Sequence, residues 1–310
     1  MDESLNGIVY VIINSVSEGL LLALVTIAFQ MIYKGFKFFD MSVGSIYLGS
    51  VYFYLFGGFL CERLQVENPI LIVLLSYLIS ILLSIGTALF TGFFVYNRFI
   101  KKNAGELVLM IISLSVYSVF VNFFVMIAGD DPQLINTNSF FDTPFTFLGS
   151  NFIYINLLQF FASSVLIGLF LVLIKKSNLG HKITALSDNK KYFQILGLNI
   201  NKTRFFILII GTFLINASAI LKTAEVGISP HVTGFQYVLF AVVAMIVSGS
   251  ESYLSAILGS ISIYLIMNFT EWNMPDNWGV WKYAIVFIIL ILILIFRPKG
   301  LKSIILRADE

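Results

Sequence analysis

Three carboxylates fall inside apolar runs of this 310-residue chain: Glu18, Asp40 and Glu251. A carboxylate near the centre of a bilayer is costly unless it is paired, protonated or wetted. No Lys or Arg lies deep in the same runs to pair with them. Two uses stay open. Such groups are protonated carboxyls bonded to a neighbouring helix, or they line a watered path for a polar solute. General acid–base catalysis would want a second acid or a nucleophile at a fixed spacing from Asp40 or Glu251, and none stands out. His181 and His231 lie far apart without Cys or His neighbours, so no metal site is expected. The chain has no Gly-x-x-x-x-Gly-Lys-Ser/Thr loop, so it is not expected to bind ATP, and no cofactor is expected on it.

The residues that would position these groups are unusually apolar: 58% of the chain is hydrophobic and 12% is charged. Soluble domains carry about a quarter charged residues. Repeated apolar runs near the length of a bilayer crossing predict an all-α polytopic membrane protein, and the absence of period-2 alternation argues against a barrel. A net charge of +2 gives no reason to expect nucleic-acid binding. Cys61, the single cysteine, excludes an intrachain disulfide framework.

Spans are predicted over about 8–33, 38–60, 70–97, 106–128, 151–174 and 205–222. A broken pair covers 236–248 and 253–269, either a re-entrant hairpin or two short crossings, and a last span covers 281–296. That makes about eight or nine helices in one transmembrane domain over 1–310. Placing 98–105, 175–204, 297–310 and the turn at Lys34 and Lys37 in the cytoplasm puts sixteen of the nineteen basic residues there. Basic loops stay inside, so the N-terminus is predicted outside and the C-terminus inside.

Two segments interrupt the apolar pattern. Residues 39–50 read FDMSVGSIYLGS and residues 247–260 read VSGSESYLSAILGS. Their short similarity points to an inverted pseudo-repeat, as in duplicated transporter folds. Small residues in a membrane either let helices pack closely or break a helix so that freed backbone lines a polar path. The candidate path residues are Glu18, Asp40, Ser42, Gly44, Ser45, Gly249, Ser250, Glu251 and Ser252.

The polar segment 175–206 holds seven basic residues. Within it, Ser187 or Asp188 can cap a short helix through Tyr192, Phe193, Ile195 and Leu196, and Gly197 would end it. Tyr192, Ile195 and Leu196 form one apolar stripe at i, i+3, i+4. Asn201 would cap the following span. Such a surface helix either lies on lipid or docks into a partner's groove.

With these segments in hand, the chain resembles the permease subunits of ABC importers for branched-chain amino acids. The resemblance rests on GLLLALVTIAFQMIYKGFKFFDMSVGSIYLGSVYFY, then ALSDNKKYFQILGLNINKTRFF with its core Ile195 to Asn199, then SGSESYLSAILGS, then IFRPKGL. Where that family usually carries Asn-Phe-Ala-His-Gly, this chain has Asp40, Met41, Ser42, Val43 and Gly44, closer to the related permeases for ribose and similar sugars. In the second segment, Ser248, Glu251, Ser255 and Ser260 replace family glycines.

The resemblance implies a multi-pass subunit of a bacterial or archaeal cytoplasmic membrane that forms the path for a small polar solute. Branched-chain or other amino acids are the first expectation; a sugar, nucleoside, urea or short amide is the alternative. It implies two cytoplasmic ABC ATPases, a second permease subunit, homologous or identical, and an extracytoplasmic substrate-binding protein. The 175–204 segment is then the coupling loop, with Ser187, Asp188, Tyr192, Ile195, Leu196 and Gly197 as its contact residues. An ATP-independent carrier would instead transport in vesicles without an ATPase, and a membrane enzyme would turn over as the isolated chain.

Overall fold

A computed structural model of the protein describes residues 3–129, 131, 143–147, 150–226, 233–249 and 252–274, with a few positions in 281–288. Helices dominate: α1 (Glu3–Phe36), α2 (Val43–Arg63), α3 (Pro69–Phe90), a π-helical turn (Thr91–Tyr96), α4 (Asn97–Lys101) and α5 (Glu106–Ala128) come first. After a short antiparallel hairpin of β1 (Pro144–Phe147) and β2 (Ser150–Ile153) come α6 (Tyr154–Lys176), α7 (Asn178–Asp188), α8 (Lys190–Ile195), α9 (Ile200–Val226), α10 (Thr233–Ser248) and α11 (Tyr253–Asn273). Seven helices among the described residues are long and apolar enough to cross a membrane, and α10 is a shorter apolar one. The protein is an all-α polytopic membrane protein. The expected last span, 281–296, lies largely outside the described residues.

One expectation needs correction. The second half of the broken pair is not short: α11 has 21 residues and reaches spanning length. Between α5 and α6, β1 and β2 pair antiparallel, with Phe145 directly opposite Phe152.

Contacts divide the chain into two compact units. The first comprises residues 1–27, 136–167 and 239–310. In it α1 and α11 are joined by the Thr26–Ser260 hydroxyl pair at 2.9 Å and by Asn268, whose amide donates to Ser15 at 3.2 Å and to Glu18 at 3.0 Å. Small hydroxyls and amides are the usual glue between helices that have no hydrophobic drive to associate in lipid.

The second unit comprises residues 28–135 and 168–238. Here α2 packs on α3, α5 and α9, and α3 packs on α9. The inward stripe of α3 is Ser76, Ser80, Ser84 and Ala88, one residue per turn, while Leu74, Leu78 and Leu82 are exposed. This inverts a soluble helix, as lipid-facing surfaces require. Asn216 of α9 donates to Ser80 at 2.7 Å, and Ser50 of α2 pairs with Ser84 at 3.1 Å. Three helices are thereby cross-linked through one serine face.

Candidate functional site

The first interruption separates α1 from α2. Lys37, at φ 64°, turns the chain out of α1. Asp40 then folds back on its own chain: its Oδ1 accepts from the Ser42 backbone N–H at 3.0 Å and from the Ser42 hydroxyl at 2.7 Å. A carboxylate that bonds the backbone two residues on is a turn-former, and before a helix it also meets the positive end of the helix dipole. Tyr96 completes the cluster, donating toward Asp40 Oδ1 at 2.8 Å and Ser42 Oγ at 2.6 Å. The π-helical turn ends on Tyr96 and delivers it there. Asp40 lies in the connection between the two spans, where burial pushes its carboxyl above the ordinary carboxylate range, against the opposing pull of the Ser42 and Tyr96 bonds. The Met41 backbone N–H donates to Ser113 of α5 at 3.0 Å, tying the same connection to a third helix.

Gly44 serves close packing. A Cβ there would sit 2.8 Å from the Gly234 carbonyl oxygen, and one at Gly234 would sit 2.6 Å from that of Gly44. The starts of α2 and α10 therefore touch backbone to backbone, beside stacked Tyr47 and Tyr237 rings at 4.6 Å. Ser45 is buried and donates to the Ser42 carbonyl at 2.7 Å. Asp40, Ser42, Gly44 and Ser45 are thus brought together.

The second interruption is built differently. α10 stops at Ser248, Gly249 takes φ 85°, and α11 resumes after Ser252. That φ is the left-handed region where glycine carries no Cβ penalty. Ser250 and Glu251 lie outside the described residues. Glu18, in the first unit, accepts the interhelical bond from Asn268 already described.

The polar segment 175–204 forms two helices rather than one. Its first, α7, presents buried Gly180, Ile183 and Leu186 to the protein. It runs through Ser187 and Asp188, so neither caps α8 as expected. Asn189 does: its side chain accepts from the Tyr192 N–H at 3.0 Å. Ser187 instead accepts from the Lys37 ammonium at 3.0 Å, which fastens α7 to the first interruption. α8 ends on Gly197 at φ 71° in a Schellman arrangement, Leu198 N to Phe193 O at 3.3 Å and Gly197 N to Gln194 O at 3.0 Å. Asn199, not Asn201, caps α9 through the Lys202 N–H at 3.1 Å.

The result is a helix held firmly on one side and open on the other. Phe193 is 0% exposed, whereas Tyr192, Ile195 and Leu196 are 59%, 80% and 53% exposed. Arg204 secures the base of the segment. Its Nε donates to the Gly35 carbonyl at 3.1 Å, one of the unpaired carbonyls at the end of α1, and its guanidinium lies 4.6 Å from the Phe36 ring centroid. A cleft of 440 Å³, lined in part by Lys37, Glu106, Leu186, Asp188 and Arg204, lies beneath α7.

Sequence reasoning gave no structural role to Tyr96 or Arg204, and it named Phe193 in the short helix and Asn199 in the loop core without the burial of the one or the capping by the other. Asn199 carried a local signal, an Asn three residues before Lys202 at the start of an apolar run. Tyr96 carried none. Among the described residues no three His, Cys, Asp or Glu side chains gather as a metal site.

Comparison with known proteins agrees with this architecture. A family model described as "Branched-chain amino acid transport system / permease component" matches residues 11–294. The chain is 24% identical over 300 residues to the high-affinity branched-chain amino acid transport system permease protein BraD of Pseudomonas aeruginosa, covering 94% of each chain. It is 24% identical over 216 residues to the ribose import permease protein RbsC of Haemophilus influenzae, covering 68% of this chain and 60% of that one. No solved structure matches the chain. With the family match running through nearly every span, the chain belongs to the family of branched-chain amino acid transport system permease components.

Proposed function

We propose that this chain forms the translocation path of an ABC importer for branched-chain or other amino acids, and that α7 and α8 couple it to the motor. The observation that carries the reading is α8 itself: buried Phe193 and the Asn189 and Gly197 ends fix the helix, and three apolar side chains on its open side have no cover among the described residues. Burying each such side chain contributes roughly 1.5–3 kcal/mol, so a shallow groove on a partner suffices to hold it.

On this reading the 175–204 segment is cytoplasmic, in keeping with its basic residues, and the N-terminus is outside. Two ATPases grip the two copies or homologues of this subunit, and an extracytoplasmic binding protein delivers the solute. Tyr192, Ile195 and Leu196 enter the ATPase groove. Ser187 and Asp188 face the membrane domain, where Ser187 receives Lys37 and carries motion of α7 toward the Asp40 turn. Glu18, Asp40, Ser42, Gly44, Ser45, Gly249, Ser250, Glu251 and Ser252 remain the proposed path and its supports. A sugar is the alternative cargo, favoured by the ribose relative and by Asp40-x-Ser42-Val43-Gly44-Ser45.

The test is the Tyr192→Asp, Leu196→Asp double variant in the assembled complex. It is expected to insert normally and to lose substrate-stimulated ATP hydrolysis. Hydrolysis that stays coupled to uptake would remove α8 from the coupling role. Identifying the ligand that copurifies on the binding protein decides between amino acid and sugar.

A further inference from the structure

A second concavity lies on the other side of α8. A cleft of 380 Å³ is lined in part by Asn97, Lys101, Lys190, Gln194, Asn199 and Arg204. That volume is within the range of small-ligand sites. The lining holds three cations and no carboxylate. Arg204 is 5% exposed, yet its named partners are neutral: the Gly35 carbonyl, the Phe36 ring and, at 3.5 Å, the Asn97 side-chain oxygen. A buried cation without a counter-charge is costly, and an anion in the cleft would relieve it. Arg204 and Lys190 also border the neighbouring 440 Å³ cleft, where Asp188 and Glu106 stand, yet no ion pair joins either acid to Arg204 among the described residues.

Depth identifies the anion. Lys101 closes the apolar stretch Pro69–Lys101, and Arg204 begins the second turn of Ile200–Glu225. Both therefore stand where a span meets the membrane surface, whichever side that is. Basic pockets between helices at that level suit phospholipid headgroups. Ile100, Leu198 and Ile200 add apolar wall to the same cleft, which suits the glycerol and first acyl carbons. Lys190 and Gln194 are one turn apart, on roughly the opposite face of α8 from Tyr192, Ile195 and Leu196. A protein seated on the apolar stripe leaves this side open to lipid. We propose that this cleft between α4, α8 and the start of α9 binds the phosphate of an anionic phospholipid headgroup. Lys190 supports the assignment: burial and the nearby Arg204 charge both lower its pKa, the strain a bound anion would ease.

The test uses the full-length chain in nanodiscs of phosphatidylcholine alone or mixed equally with phosphatidylglycerol. Native mass spectrometry should show phosphatidylglycerol retained by the wild-type protein, with a rise in thermal midpoint. Lys101→Gln with Lys190→Gln should weaken retention about tenfold or more, since each surface cation contributes near 1 kcal/mol to anionic lipid binding. Arg204 is left intact because it also anchors α1. Lys175→Gln with Lys176→Gln removes the same charge from exposed positions at the end of α6 and should leave retention unchanged. Equal loss in both double variants would overturn the site in favour of diffuse attraction. Equal stabilisation by glycerol 3-phosphate in phosphatidylcholine would overturn the lipid in favour of a free phosphate ester. Unchanged lipid retention in Lys101→Gln, Lys190→Gln, with loss of ATPase copurification, would reassign the cleft to an acidic protein contact.

Discussion

The two interruptions read alike in sequence and are built on different physics. In the first, a side chain holds the turn: Asp40 accepts the Ser42 N–H and hydroxyl, Tyr96 locks both, and Gly44 lets α2 and α10 meet at backbone distance. In the second, the backbone of Gly249 makes the turn, with open space around its α-carbon. One glycine serves packing and the other serves conformation. The carboxylate of the first break accepts from its own chain and from Tyr96, with all three bonds on Oδ1. That favours a supporting role for Asp40 over direct contact with a solute.

Substitution separates the two designs. The largest effect is expected at Gly44→Val. Its Cβ alone would clash with the Gly234 carbonyl, so the helices must part at a cost of about 3 kcal/mol, read as a lowered thermal midpoint in detergent. A neutral result would dissolve the packing half of the contrast. Next comes Asp40→Ala, which strips the acceptor from Ser42 and Tyr96 and should cost about 2 kcal/mol, with Asp40→Asn recovering much of it. If the Ala variant keeps its midpoint but loses uptake, Asp40 belongs to the path rather than to the turn. The smallest effect is expected at Gly249→Ala, about 1 kcal/mol from φ 85° alone, with Gly249→Asn milder because Asn tolerates that region. A larger loss than at Gly44 would reverse the comparison.

Legibility varied along the chain for physical reasons. The spans were readable because run length is what a bilayer demands, and α5 spans the expected 106–128. α7 was not, because only Gly180, Ile183 and Leu186 mark its buried side in an otherwise polar stretch. The cap of α8 was misassigned among three adjacent capping residues. Ser187, Asp188 and Asn189 are all suitable locally, and only the continuation of α7 through Asp188 leaves Asn189 for the task. The serine stripe of α3 was available as a four-residue period but meant nothing until Ser50 and Asn216 arrived opposite it.

By itself, then, the sequence determined the membrane class, most spans, the placement of both breaks and the exposed stripe on α8, because each depends on local composition or on a period of a few residues. Only the tertiary structure decided that Tyr96 reaches Asp40 across 56 positions, that Gly44 and Gly234 share one contact, and that Arg204 joins α9 to the end of α1. Those pairings depend on which helices meet, and helix order in a bundle is fixed by interlocking side chains that no single segment encodes.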